Sequence, residues 1–300
     1  MMSAPTFTQY SDTGRKLLKE GVWFDVPRNN ARRLTIPNVT FNIDLSTDYV
    51  PLNTTRESPL FLGIGELIGY VRGETNSMAF DELGAKSWHA NANENEAWLK
   101  NPNRGGENDM GLVYGAVGNN WPKMYQHAPD SSLEYREDEI DLLDKIYNNL
   151  KNGVDNGDEI WTFWNPGIFH LGCLRPCLHS HHFTLLDRTL YLNSTQRSSD
   201  APLGVVSNLV QVYVLGRLMA QITGNKGGSA LHTHSNYHVY ENQLETFKEE
   251  MGREPRPMPR LLINPEIKTL EDLRTWVKPK QDFELVDYNP HPKLKYDFTV

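Results

Sequence analysis

The chain is short of cysteine, short of positive charge and short of long apolar runs, and each shortage removes a class of protein. Only two cysteines occur in 300 residues, Cys173 and Cys177. Secreted scaffolds held by disulfides carry more, and a bridge within Cys-Leu-Arg-Pro-Cys is geometrically unfavourable, so a reducing cytoplasmic compartment is expected. A formal net charge of −8 argues against a nucleic acid polymer as partner, because phosphate backbones require clustered lysine and arginine. A small nucleotide held by two or three local arginines stays open. The first residues lack an apolar signal core and no stretch reads as a bilayer span, so no membrane is expected. Seven histidines (His170, His179, His181, His182, His232, His234 and His238) lie near or beyond the cysteines, but Cys-x-x-Cys and His-Glu-x-x-His spacings are missing, and no metal is expected.

What remains is enough apolar residue for a full core, with no repeat and no low-complexity linker. Leu60, Phe61, Ile64, Leu67, Ile68 and Val71 recur at helical spacing, which predicts a helix near 58–72. Ile140, Leu143, Ile146 and Leu150 predict another near 136–152, closed by Gly153. Gly204 to Gly224 is apolar on more than one face and reads as a central, buried helix. Strands are expected at 33–43, 159–164, 182–186 and 189–193, the last two joined at Asp187-Arg188. Helices and strands without βαβ alternation predict an α+β layered domain, with a mixed sheet around the buried helix and a single domain over 1–300. The Asn- and Gly-rich stretch 91–108 reads as a surface insertion without regular structure.

One ordered set of residues carries chemistry: Pro176-Cys177, Gln196-Arg197-Ser198-Ser199-Asp200, Asn208, and His238-Val239-Tyr240. A cysteine becomes a strong nucleophile when a neighbouring cation stabilises its thiolate, and Arg197 could serve once folding brings it near. Asn208 offers one donor and one acceptor edge, which matches uracil O4 and N3–H, and an asparagine in a buried helix is costly unless it is used. His238 and Tyr240, two apart on one face, can reach a sugar hydroxyl.

This set resembles the thymidylate synthase family. The likeness extends through Thr40-Phe41-Asn42, Pro51-Leu52-Asn53-Thr54-Thr55, Gly65-Glu66-Leu67, Gly73-Glu74-Thr75-Asn76, Gly111-Leu112-Val113-Tyr114-Gly115, Arg253-Glu254-Pro255-Arg256-Pro257 and Asn289-Pro290-His291-Pro292. The resemblance implies transfer of a one-carbon unit from 5,10-methylenetetrahydrofolate to C5 of a uracil nucleotide by a homodimer. It implies Cys177 as the thiolate that adds to C6, Glu66 and Tyr114 as the groups that handle protons, and Arg197 as the activator of the thiol. It further implies Arg28, Arg197 and Ser198 at the 5′-phosphate, Asn208 at the base, and His238 and Tyr240 at the 3′-hydroxyl. On the folate side it implies Asp200, Gly204, Trp88 and the C-terminal Val300, with Arg56 where the family often has a lysine for the glutamate tail. Cys173 is expected to be an inert, buried thiol.

The chain departs from the family in four places. Gly157 and Asp158 stand where an Arg-Arg pair usually reaches the phosphate of the other subunit, Leu178 replaces a histidine, Asn91 a tryptophan and His182 a glutamine. These changes alter hydrogen bonding around base and folate, so a hydroxymethylating relative and a non-catalytic homologue are the competing expectations.

Overall fold

The computed structural model describes residues 4–27, 31–126, 128 and 130–297; Arg28 and Val300 lie outside them. Seven strands form a mixed sheet: β1 (Val22–Val26), β2 (Ala31–Asp44), β5 (Ile160–Thr162), β6 (Leu178–Leu186), β7 (Thr189–Gln196), β8 (Ser199–Asp200) and β9 (Lys226–Tyr240). They run in the order β1-β2-β9-β7-β6-β5, with β8 pairing to β9. β7 and β8 run parallel to β9, while the other pairs are antiparallel. The hairpins β3–β4 (Trp121–Tyr125, Glu134–Ile140) and β10–β11 (Arg260–Ile263, Phe283–Val286) stand apart from this sheet. The α+β class expected from the sequence is therefore the class observed.

Helix α1 (Gln9–Glu20) packs on β2, and α2 (Leu60–Arg72) crosses α8 (Val206–Thr223), which lies behind the sheet. The short α3 (Ser77–Glu82), α4 (Trp88–Asn93), α5 (Glu96–Leu99) and α6 (Gly115–Gly118) separate α2 from α7 (Leu142–Lys151). Nearly all of α8 is buried, as its apolar character on every face requires. Including the turn before it, Ala201–Thr223 is long and apolar enough to cross a bilayer, which the sequence reading overlooked, but most of it is buried inside the protein. Gly224, at φ 68°, closes α8 in a left-handed conformation that costs glycine nothing, and its N–H caps the carbonyl of Ala220.

Two expectations need correction. The helix predicted over 136–152 begins only at Leu142. Ile140 belongs to β4 and pairs with Trp121, and the Asp141 side chain accepts from Asp144 N at 2.9 Å, which fixes the helix start. The stretch 91–108 is not irregular throughout. The Asn95 side chain caps α5, and the buried Trp98 anchors it by donating its Nε1–H to Asp109 O at 2.7 Å. The polar composition hid a one-turn helix held by a single aromatic.

Four histidines, His181, His232, His234 and His238, are buried in or beside the sheet. His181, His234 and His238 have their pKa pushed down to about 3 by burial, and His232 is also shifted down by burial. Buried neutral imidazoles bind a proton in the unfolded chain before the folded one, so their stability contribution is complete above pH 6.5 and is lost as pH falls towards 3. Glu66 and Asp200, with pKa raised by burial to about 7 and about 6, act in the opposite sense and regain stability as pH falls. Four groups outweigh two. We therefore expect the urea midpoint to fall steadily from pH 7 to pH 4, with each unbalanced proton removing about 1.4 kcal/mol per pH unit. Urea titrations at pH 7, 5.5 and 4 check this, and a flat profile contradicts it.

Candidate active site

Cys177 sits just before β6, and its position opposite Arg197 is a matter of strand register. Asp187 (φ 46°) and Arg188 (φ 57°) form a two-residue turn with both φ positive, as a tight hairpin requires. From that turn the register runs unbroken to Ser180 opposite Thr195. A bulge between Leu178 and Ser180 then sets Leu178 opposite Gln196, one residue short of the unbroken register. The shift aligns Arg197, rather than Ser198, with Cys177, and Arg197 N donates to Cys177 O at 2.9 Å. The same bulge turns both Leu178 and His181 inward, so His179 does not share the face of His181.

The Arg197 guanidinium donates to Pro176 O (2.9 Å) and Arg175 O (3.0 Å), and its Nη2 lies 3.8 Å from Cys177 Sγ. It also lies 5.6 Å from the centre of the Trp164 ring. A permanent cation fixed beside a partly exposed sulfur favours the thiolate. Cys173 is the opposite case: it is buried, and desolvation pushes its thiol up to about 12.

Tyr114 meets Cys177 from the other side. Its hydroxyl accepts from Cys177 N at 3.1 Å, and its ring stacks on Tyr70 at 4.5 Å between centroids. Tyr114 holds φ at 44°, a strained choice for an aromatic residue. Gly115 behind it has no room for a side chain: a Cβ would stand 1.7 Å from Tyr70 O. The strain is thus imposed by close backbone packing at the site.

Glu66 rises from α2 as a half-buried residue whose carboxyl loses water to its surroundings, and this desolvation pushes its pKa up to about 7. Hydrogen bonds from Ser87 Oγ (2.7 Å) and Gln211 Nε2 (2.7 Å) pull the other way without cancelling the effect. Such a group exchanges protons readily near neutrality.

Asn208 lies one turn into α8 and joins a continuous line of side chains. His232 Nε2 meets Gln196 Oε1 at 2.9 Å, and Gln196 Nε2 donates to Asn208 Oδ1 at 3.0 Å. Asn208 Nδ2 donates to Gln211 Oε1 at 3.1 Å, and Gln211 continues to Glu66. Gln211, Ser87 and His232 were missed as site residues from sequence, and Gln196 was read as part of the motif without a role of its own. Gln211 was within reach, since it stands three residues after Asn208 on an otherwise apolar helix.

Beyond this line, Asp200 pairs with His238 through β8 and β9. Its carboxylate accepts from Leu203 N (3.2 Å) and Gln243 Nε2 (3.1 Å), and burial raises its pKa to about 6. It caps a π-helical turn, Ala201–Val205, where a Cβ on Gly204 would meet only Asn208 Oδ1, at 3.7 Å. His238 and Tyr240 are neighbours, with ring centroids 5.1 Å apart at 82°. Ser198 lends its carbonyl to Gln196 Nε2 at 3.1 Å.

Three sequence candidates are placed differently from the rest. Trp88 is buried among Tyr70, Phe80 and Tyr114, so it supports the Tyr70–Tyr114 stack from behind. Arg56 is buried and paired with Glu250 at 3.1 Å, and Glu250 also accepts from Asn53 (2.6 Å), Thr55 (2.8 Å) and Tyr296. A guanidinium so engaged cannot also bind a glutamate tail without breaking a buried ion pair, which is costly. Asp158 forms an exposed ion pair with Lys145 at 2.7 Å, so its charge is already partnered.

Three of the buried histidines each commit one ring nitrogen to a hydrogen bond: His181 Nδ1 with Ser194 Oγ (2.8 Å), His234 Nδ1 with Ser199 Oγ (2.7 Å), and His232 Nε2 as above. Among the described residues no three His, Cys, Asp or Glu side chains converge as metal ligands.

A cysteine beside a fixed arginine and a tyrosine hydroxyl, with a carboxyl of raised pKa linked through Gln211 to an oriented asparagine, is an arrangement able to support nucleophilic addition to an amide-like ring. Comparison with known proteins agrees with that chemistry. The family model described as thymidylate synthase matches residues 8–300. A thymidylate synthase of Glaesserella parasuis serovar 5 (strain SH0165) is 51% identical over 293 residues, covering 97% of this chain and 99% of the relative. Those of Shewanella frigidimarina (strain NCIMB 400) and Vibrio cholerae serotype O1 (strain M66-2) are 50% and 49% identical over the same coverage. With half of its residues shared along nearly its whole length, the chain belongs to the thymidylate synthase family.

Proposed function

We propose that this protein methylates dUMP at C5 to give dTMP, with 5,10-methylenetetrahydrofolate as cosubstrate and Cys177 as the nucleophile. The observation that carries the reading is Arg197 Nη2 at 3.8 Å from Cys177 Sγ, on a chain half identical to named thymidylate synthases. In the first step the Cys177 thiolate bonds to C6 of uracil, and the C5–C6 π electrons move towards O4. Asn208 donates to O4 and accepts from N3–H, which stabilises the charge that develops there. Glu66, with its pKa near neutrality, supplies and removes protons at O4. The Tyr114 hydroxyl, whose pKa burial holds well above its ordinary value, stays protonated and relays the C5 proton. Expulsion of Cys177 from C6 then restores the ring double bond.

The residues around Asp200 suit the folate. A half-buried carboxyl with its pKa raised by desolvation can hydrogen-bond a pteridine-like ring, and Gly204 leaves space beside it. When bound, the folate supplies both the one-carbon unit and the hydride that reduces it. Arg56 is not available for the glutamate tail, so that part of the family pattern is not carried over to this chain.

A homodimer is supported by the outer face of the large sheet, where the partly exposed Tyr191 and Leu231 line a shallow groove with Thr184 and Asn193. Two free cysteines support a cytoplasmic location. The stretch 91–108 is proposed as an insertion relative to the family pattern within one domain over 1–300. Methylation takes precedence over hydroxymethylation because the relatives are named for the former.

Cys177→Ala is expected to abolish turnover with the fold intact, while Cys173→Ala keeps near-normal activity. Product mass from dUMP and circular dichroism of each variant check this, and substantial turnover by Cys177→Ala contradicts the mechanism. Asn208→Asp is expected to move preference from dUMP towards dCMP, because a protonatable carboxyl can satisfy cytosine N3 and N4. Paired kcat/KM measurements on both nucleotides decide it.

A further inference from the structure

An asparagine amide reads uracil only if its two ends are the right way round, and its two ends have nearly the same shape. In this protein the orientation is set by neighbours whose own polarity is fixed. At one end, Gln196 Nε2 donates both to Asn208 Oδ1 (3.0 Å) and to the Ser198 carbonyl (3.1 Å), which can only accept. Its Oε1 faces His232 Nε2 at 2.9 Å, which fixes that imidazole as the Nε2–H tautomer. At the other end, Gln211 Nε2 donates to the Glu66 carboxylate at 2.7 Å, so Gln211 Oε1 must be the atom turned to Asn208 Nδ2. Asn208 thereby has one N–H and one lone pair tied down. The N–H and lone pair left over are a donor and an acceptor in the order that uracil needs.

We propose that Gln211 is a specificity-determining positioning residue: it links Glu66 to Asn208 and locks the Asn208 amide in the uracil-reading orientation. The proposal rests on the dUMP reading above. Turning Asn208 over to suit cytosine would set two carbonyl oxygens together at Gln211 and two amide groups together at Gln196. Turning Gln211 as well would set its oxygen against the Glu66 carboxylate. Gln211 is buried and bridges α8 to α2 directly, so no intervening water is needed to transmit the constraint. Glu66 is surrounded by Ser87 and Gln211, with Tyr70 and Tyr114 as the nearest titratable groups it influences, both held protonated by burial.

Two variants of similar side-chain length separate the two hydrogen bonds of Gln211. Gln211→Met removes both while filling the same volume. Gln211→Glu keeps an acceptor for Asn208 Nδ2 but replaces the donor that faces Glu66. The measurements are binary Kd values for dUMP and dCMP, and the pH profile of kcat/KM for dUMP, on variants whose Tm shows them folded. For Gln211→Met the preference for dUMP over dCMP is expected to fall by about tenfold, the value of one hydrogen bond to an oriented amide. Loss of the donor raises the Glu66 pKa, so the acidic limb of the profile moves to higher pH. For Gln211→Glu the base preference stays near that of wild type while the acidic limb moves up further, because two carboxyls then share the space. If wild type prefers dUMP and Gln211→Met keeps both its preference and its acidic limb, the proposal is overturned and the dUMP reading stands. If wild type itself binds dCMP better, both fall.

Discussion

A side-chain amide can turn over at almost no steric cost, so a protein that uses one to read a base must control the polarity of everything it touches. Here that control comes from the Ser198 carbonyl, which can only accept, and from Glu66, which accepts while it is ionised, placed at opposite ends of a line through Gln196, Asn208 and Gln211. The line crosses from β7 to α8 to α2. Those elements must keep their relative positions to within a hydrogen bond. The burial of α8 on every face supplies the rigidity, because a helix packed all round has no direction in which to shift cheaply.

The same packing explains the unusual acid–base properties of the interior. Desolvation raises Glu66 and Asp200 and lowers His181, His232, His234 and His238, all towards the neutral form. For the histidines the consequence is structural. Neutral rings serve as hydrogen-bond partners for Ser194, Gln196 and Ser199, and His232 fixes Gln196 by donating from Nε2 to its Oε1. For Glu66 the consequence is chemical, since a carboxyl near neutrality both gives and takes a proton. One physical cause, loss of water, thus yields structural hydrogen-bond partners in one place and, on the proposed reading, a proton-exchanging group in another.

Much of this was legible from the sequence, and the parts that were not share a cause. Periodicity identified α2 and α8, and the Asp187-Arg188 turn identified the hairpin that brings Cys177 and Arg197 together. The bulge between Leu178 and Ser180, which decides that Arg197 rather than Ser198 is opposite Cys177, leaves no pattern in the residues themselves. Nor does periodicity reveal that Ile140 ends a strand before Asp141 starts a helix, because the same apolar residue fits both. Arg56 was matched to a ligand contact by position alone. Its pairing with Glu250, nearly two hundred residues away, depends on tertiary contact that no local reading reaches.

The departures from the family pattern gain meaning when set against this network. A histidine after the nucleophile would place a titratable group beside the base, whereas Leu178 is buried and apolar. Separately, Gln211 connects Glu66 to Asn208 by a side chain that does not titrate. A protein amide cannot change its protonation state near neutral pH, so the polarity of the line is set by the groups at its ends, the Ser198 carbonyl and Glu66. Asp158 follows a similar logic at the periphery. It pairs with Lys145 in an exposed contact that contributes little to stability. That ion pair is therefore cheap to lose, while the hydrogen bonds that orient the Asn208 amide are partly buried and are not.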